Sequence, residues 1–164
     1  MITRPKRPII PAILALIILI IGSLIFLYDY ENRIDPPQFK LPDNAVMKVI
    51  DGDTIQLADN TIVRLLGINA PEQEEDCYEE AKERLSNLLL SYEVRLESDP
   101  AAPDTDIYGR KLRYIFLDNQ NINLILLQEG LVRTYFLNQS LKYQTEFIAA
   151  EQRAIENQIG CLWN

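Results

Sequence analysis

Residues 45–72 read AVMKVIDGDTIQLADNTIVRLLGINAPE. Val46 to Ile50 is short and β-branched, and Asp51-Gly52-Asp53 after it is a turn signal. Thr54 to Leu57 resumes the strand pattern, and Ala58-Asp59-Asn60 turns again. Thr61 to Ile68 is a third apolar stretch, interrupted by Arg64. Three short strands joined by tight turns predict a meander.

Downstream the period changes. Cys77, Ala81, Leu85, Leu88 and Tyr92 recur at helical spacing, predicting a helix over residues 75–92. Val94 to Glu97 and Lys111 to Leu117 read as strands, with a Pro- and Asp-rich loop over residues 99–106 between them. Ile122 to Gln128 reads as an apolar helix, with Gly130 as its C′ residue. Residues 141–159 predict a long last helix with Leu141, Ile148, Ile155 and Ile159 on one side, capped by Asn138 or Ser140. Five strands with interleaved and terminal helices predict an α+β domain, a small barrel of the OB type carrying three helices.

Upstream, Arg4, Lys6 and Arg7 precede a run from Ile9 to Tyr28 that holds no charge. Twenty such residues as a helix span roughly 30 Å, the hydrocarbon thickness of a bilayer. Asp29 and Glu31 follow. Positive charge before the run and negative charge after it predict residues 1–8 in the cytoplasm and the rest outside. The exit Phe26-Leu27-Tyr28-Asp29 has no small-residue cleavage pattern, which favours an uncleaved anchor over residues 9–28 against a cleaved, secreted form. Residues 29–43, with Pro36, Pro37 and Pro42, read as a linker that reaches at most roughly 50 Å. The folded domain is expected over residues 44–164, held near the membrane and monomeric.

The 164-residue chain has no His and two Cys. Ser-His-Asp and Cys-His chemistry is therefore excluded, as are zinc sites that need His. Catalysis must come from carboxylates, Arg, Lys, Tyr, hydroxyls and a hard metal. Asp51-Gly52-Asp53-Thr54 is either a plain hairpin turn or a hard-cation site. Arg64 either points to solvent or aims its guanidinium into a groove, where it suits a phosphate. Asn69-Ala70-Pro71-Glu72 ends the third strand; it is an exit turn or a place for a carboxylate base. Tyr108-Gly109-Arg110, preceded by Asp104 and Asp106, is a loop junction or a second guanidinium. Together they supply a metal, a base and two phosphate clamps, and this combination points to phosphodiester hydrolysis.

The run Asp51-Gly52-Asp53-Thr54-Ile55, the stretch from Val63 to Glu72, Tyr108-Gly109-Arg110 followed by Tyr114, and Leu162-Trp163 resemble the thermonuclease family, typified by staphylococcal nuclease. Order and spacing match over residues 44–164. The resemblance implies a five-stranded OB barrel with three helices and Ca²⁺-dependent hydrolysis of DNA and RNA. Apart from the resemblance, single strands are the expected substrate form. The resemblance also implies roles. Asp53, with Asp51, Thr54, the Asn69 amide and the Ala70 carbonyl, corresponds to the metal shell. Arg64 and Arg110 correspond to the phosphate-binding arginines, Glu72 to the general base, and Tyr108 to an aromatic near the terminal phosphate. Asn69 stands where the type member has a carboxylate, so weaker metal binding is expected. Ile107 stands where it has a basic residue.

Asn69 and the charge balance pull the other way. Residues 41–164 carry 11 basic and 21 acidic side chains, net −10, whereas nucleic-acid binders normally carry a basic footprint. A non-catalytic, membrane-tethered binding module on the same barrel is the alternative. Six acids between Glu74 and Glu83 cluster at the start of a helix, a solvated face that suits its dipole. On the outer side of a membrane the pair Cys77 and Cys161 reads as a disulfide.

Overall fold

The computed structural model describes residues 10–33, 41–136 and 140–164. The chain divides into two compact units, Met1–Lys40 and Leu41–Asn164. In the first, helix α1 (Ile10–Arg33) carries the apolar run. Its window Ile13–Tyr30 has a mean hydropathy of 2.4 and is exposed throughout. The helix continues to Arg33, into the stretch read as linker; residues 1–9 and 34–40 lie outside the described residues.

In the second unit the meander forms as its turns dictate. Strands β1 (Val46–Asp51), β2 (Thr54–Leu57) and β3 (Ile62–Leu65) pair antiparallel in succession. The stretch predicted as one strand over residues 61–68 breaks after Leu65. Gly67 takes φ +82, which turns the chain into the two-residue β4 (Ile68–Asn69). A side chain at Gly67 would also press on the Phe147 ring, 3.0 Å from its Cβ position. After helix α2 (Tyr78–Leu89) come β5 (Arg95–Glu97), β6 (Lys111–Leu117), the short β7 (Gln120–Asn121) and helix α3 (Ile122–Gln128). Strand β8 (Arg133–Thr134) and helix α4 (Gln144–Glu156) follow.

The main path runs β1-β2-β3-β6-β5, with β3 and β6 parallel and the other pairs antiparallel. Two register shifts bend β1 and curl the sheet. Its edges meet at the bridge Ala45–Glu93, where the Val46 N–H donates to the Tyr92 carbonyl at 2.9 Å. The Ser91 N–H donates to the Val46 carbonyl (2.8 Å) and the Val94 N–H to the Asn44 carbonyl (3.2 Å), so the curled OB-type barrel is joined over residues 44–46 and 91–94 without a regular strand ladder there. A separate pair, β4 with β8, sets Asn69 opposite Arg133.

The core is apolar and dense: Val46, Ile55, Leu65, Ile68, Leu85, Ile115, Leu126 and Phe147 are fully buried. Each contributes on the order of 1.5–3 kcal/mol relative to exposure. Buried Asn123 fastens α3 to the sheet. Its Nδ2 donates to the Leu66 carbonyl (2.9 Å) and its Oδ1 accepts from the Ile115 N–H (3.0 Å).

Two helix faces differ from the sequence reading. In α2 the buried residues are Ala81, Leu85 and Leu89, while Tyr92 lies past the helix end and is exposed. In α4 the inward face is Phe147, Ala150 and Ala154, whereas Ile148, Ile155 and Ile159 are exposed. Phe147 stacks on Tyr143 and meets the edge of Tyr114, and the two small alanines permit close packing behind it. The helix starts after Tyr143, so Ser140 is not its cap; Asn138 lies outside the described residues.

Cys77 and Cys161 form a disulfide, Cα–Cα 5.5 Å, which ties the start of α2 to the C-terminal segment.

Candidate active site

A cavity of about 920 Å³ opens between the β1–β2 turn, the β3–β4 segment and the loop before β6. Asp51, Asp53, Arg64, Asn69, Ala70 and Glu72 line one wall; Asp106, Ile107, Tyr108 and Arg110 line the other. Thr54 is absent from the lining and sits behind Asp53.

The first wall is built on core strands. Gly52 has ordinary φ, so turn conformation is not its purpose. A Cβ there would lie 2.7 Å from the Ala81 Cβ and 2.8 Å from the Ala70 Cβ. Glycine thus lets α2 and the Ala70 segment close onto the turn that carries Asp53. The Asp53 carboxylate is buried and fully engaged. Oδ2 accepts from the Ala70 N–H at 2.6 Å and lies 3.1 Å from Arg64 Nη2, while Oδ1 accepts from the Thr54 hydroxyl at 3.0 Å. Burial pushes Asp53 up to about 6 despite opposition from Arg64 and the Ala70 N–H, with nearby Asp51 adding to the rise.

Arg64 does not face solvent; its side chain is 11% exposed. Nη1 donates to the Leu65 and Ile68 carbonyls (3.0 and 2.7 Å), and Nη2 donates to Asn69 Oδ1 at 2.8 Å. Asn69 Nδ2 in turn donates to the Ala70 carbonyl at 3.1 Å. Glu72 is exposed at the rim; its N–H donates to Glu75 Oε2 at 2.8 Å, and its own carboxylate holds no partner among the described residues.

The second wall is a loop. Gly109 takes φ +81, with open space where a Cβ would stand. The turn brings Arg110 back onto Asp106: Nε donates to Oδ2 at 2.6 Å, and the Arg110 N–H donates to Oδ1 at 2.9 Å. Burial alone would raise Asp106, but these bonds and the Tyr108 N–H outweigh it and hold the carboxyl below its usual range. Ile107 and Tyr108 project outward, 91% and 78% exposed.

The oxygen-only donor set of Asp51, Asp53, Asn69 and the Ala70 carbonyl fits a hard cation of the Ca²⁺ class by chemistry, with only two carboxylates to supply charge. No group of three or more His, Cys, Asp and Glu suited to a metal occurs among the described residues.

Sequence reasoning missed three parts of this site. Tyr135, 48% exposed, lines the cavity because β8 pairs with β4, a contact with no local signal. The Asp106 clamp on Arg110 has one, its spacing of four residues. Asp99 is the third. It is buried, accepts from the Tyr114 hydroxyl and the Lys142 N–H, both at 2.7 Å, and so fixes the segment that brings Leu141 to the cavity.

Residues 62–164 match the family described as staphylococcal nuclease homologue. The thermonuclease of Staphylococcus intermedius is 30% identical over 161 residues, covering 90% of this chain and 94% of that protein. Endonuclease YncB of Bacillus subtilis is 33% identical over 137 residues, covering 77% of this chain and 64% of its own. An uncharacterised protein of Methanocaldococcus jannaschii, MJ1439, is 36% identical over 149 residues, 73% of this chain and 70% of its own. The family match begins at Ile62 and so leaves out the turn that carries Asp53. It covers more than half of the chain, which belongs to the staphylococcal nuclease family.

Proposed function

We propose that this chain is a metal-dependent nuclease that hydrolyses phosphodiester bonds of DNA and RNA. The observation that carries the reading is the convergence of two guanidiniums, Arg64 and Arg110, on one cavity that also holds Asp53 and Glu72, whose carboxylate has no partner among the described residues. A pentavalent phosphorane carries more negative charge than the diester, and two preorganised guanidiniums stabilise that difference.

In this reading the Arg64 Nη2 edge turns from Asp53 and Asn69 to a non-bridging phosphate oxygen, while Nη1 stays on the Leu65 and Ile68 carbonyls. Arg110 approaches another oxygen from the opposite wall, held at Nε by Asp106. The Glu72 carboxylate takes a proton from the attacking water as its oxygen bonds to phosphorus, and the bond to the leaving ester oxygen breaks. Tyr108 borders the departing end. Asp53, Asn69 and the Ala70 carbonyl would hold Ca²⁺, with Asp51 acting through water and Thr54 steadying Asp53 from behind. The cation supplies charge that offsets the developing negative charge.

The apolar helix serves in this proposal as a membrane anchor over residues 9–28. Residues 1–8 stay in the cytoplasm, residues 29–43 act as a tether, and the domain stands outside, where a disulfide persists.

The test uses the full chain in neutral detergent micelles with a single-stranded DNA oligonucleotide, in Ca²⁺ and then in chelator. Cleavage is expected in Ca²⁺ alone, and Glu72→Gln is expected to lower it at least a hundredfold. The second reading, a binding module without catalysis, is favoured by Asn69, whose amide is already spent on Arg64 and Ala70. Oligonucleotide binding without cleavage at millimolar Ca²⁺ would establish that reading instead.

A further inference from the structure

Of the 11 cationic side chains in residues 41–164, seven sit in ion pairs: Arg64, Arg84, Arg95, Arg110, Lys111, Arg113 and Lys142. Lys82 donates to the Tyr78 hydroxyl and Arg153 to the Ala149 carbonyl. Two cations remain: exposed Lys48 on β1, which has no ion pair or hydrogen bond among the described residues, and Arg133. Among the described residues the Arg133 side chain has no carboxylate and no hydrogen bond; its guanidinium carbon lies 5.3 Å from the centroid of the Trp163 ring. What sets Arg133 apart is that it stands opposite a cavity residue.

Arg133 is the register partner of Asn69 in the β4–β8 ladder. Directly opposed residues of an antiparallel pair point to the same face. Arg133 therefore shares the face on which Asn69 meets Arg64. Two residues further along the same extended segment, roughly 6.6 Å away, Tyr135 lines the cavity. The Tyr135 N–H continues the pairing by donating to the Gly67 carbonyl at 2.9 Å, which keeps the alternation in phase. A cation and an exposed aromatic thus follow one another on one face, leading out of the cavity. Such alternation suits a single nucleic-acid strand, bases on the ring and phosphate on the guanidinium. Trp163 contributes by stacking. A guanidinium resting on an indole keeps its N–H edge free and loses little freedom on binding phosphate. The indole is itself fixed by the adjoining Cys161 disulfide and by the Leu162 N–H on the Gly130 carbonyl.

We propose that Arg133 is a further phosphate-binding residue, gripping the strand one step outside the cavity beyond Tyr135. The proposal rests on the nuclease reading for its ligand class, nucleic acid, but not on catalysis.

Trp163 is the only tryptophan in the chain and reports directly on this contact. Binding is measured on the full chain in neutral detergent micelles, in chelator so that nothing is cut. The probe is a single-stranded oligothymidylate, followed by Trp163 fluorescence and by anisotropy of the labelled probe over a salt series. A saturable change in Trp163 emission is expected. Arg133→Ala should weaken binding about tenfold and flatten the salt dependence by about one phosphate, with Arg133→Lys recovering part of the slope. With Ca²⁺ present, Arg133→Ala should raise KM and leave kcat within about twofold of wild type.

If Arg133→Ala is folded by circular dichroism yet matches wild type in affinity and salt slope, the proposal is overturned, whether or not the chain cuts DNA. If the affinity and slope fall as stated but wild type never cleaves in Ca²⁺, the strand grip stands and the catalytic reading falls. If wild type binds no oligonucleotide, both fall.

Discussion

Arg64 and Arg110 reach the same cavity from two kinds of scaffold. Arg64 stands on a central strand between buried Val63 and Leu65, is 11% exposed, and binds two carbonyls, an amide oxygen and a carboxylate. Arg110 stands at the end of a loop turned by Gly109, is 30% exposed, and is held by the Asp106 carboxylate, with the Tyr108 ring 5.4 Å from its guanidinium carbon. One wall is part of the fold and cannot move without it. The other is a clamp attached to the fold, and its side chain can follow a substrate. Loops carry function on rigid frames for this reason, but here the frame itself supplies half of the site.

The largest expected difference lies in stability. Arg64→Ala strands Asp53 in a buried position and should cost about 3 kcal/mol in unfolding free energy. Arg110→Ala leaves its carboxylate in contact with water and backbone N–H groups and should cost under about 1 kcal/mol. Both should lower the cleavage rate by about 10²–10³. Chemical denaturation beside kinetics measures the two axes, and equal stability losses would erase the distinction between the walls.

Asp53→Asn probes the frame from the other side. Asp53 titrates near 6 when folded against 3.8 as its ordinary value. The folded state thus binds the extra proton between these limits, so this group's contribution to stability is full below about 3.8 and lost as pH rises through about 6. Without Ca²⁺, Asp53→Asn should stabilise the fold by about 1–3 kcal/mol at pH 7 and remove that part of the pH dependence. In wild type, Ca²⁺ should protect against thermal unfolding at pH 7.5 and progressively less below pH 6, because Asp53, as the proposed ligand, must lose its proton to bind. Thermal melts across pH 5–8, with and without Ca²⁺, read all three effects.

The smallest effect belongs to the clamp. Asp106→Asn weakens the hold on Arg110 without burying a charge. KM for oligonucleotide should rise by about three- to tenfold with kcat nearly unchanged. A kcat loss as large as that of Arg110→Ala would mean that the loop is as fixed as the strand.

What the sequence disclosed follows local rules. The turn residues 51–53, the strands 54–57 and 111–117 and the helix 122–128 emerged where composition and period placed them. The polar residues of the cavity were legible because each interrupts a pattern: Arg64 an apolar strand, Asp53 a turn, Arg110 a loop after glycine. Longer-range choices were not legible. Ile148, Ile155 and Ile159 looked like a core stripe, yet α4 turns Phe147, Ala150 and Ala154 inward, because small residues let it pack closely beside the Tyr114 and Tyr143 rings. The β4–β8 pair joins residues some 65 apart, so nothing near Asn69 announced Arg133. Gly52 was legible as a turn former, while its requirement is the approach of Ala70 and Ala81.

In the proposed reaction two guanidiniums act on one phosphoryl group. A double-mutant cycle tests it most directly: cleavage of a single-stranded oligonucleotide in Ca²⁺ by wild type, Arg64→Ala, Arg110→Ala and the double variant, all as full chains in micelles. Groups that act together on one transition state are non-additive. The double variant is expected to be little worse than the poorer single one. Losses that multiply in full, or a single variant that cuts at the wild-type rate, would contradict it.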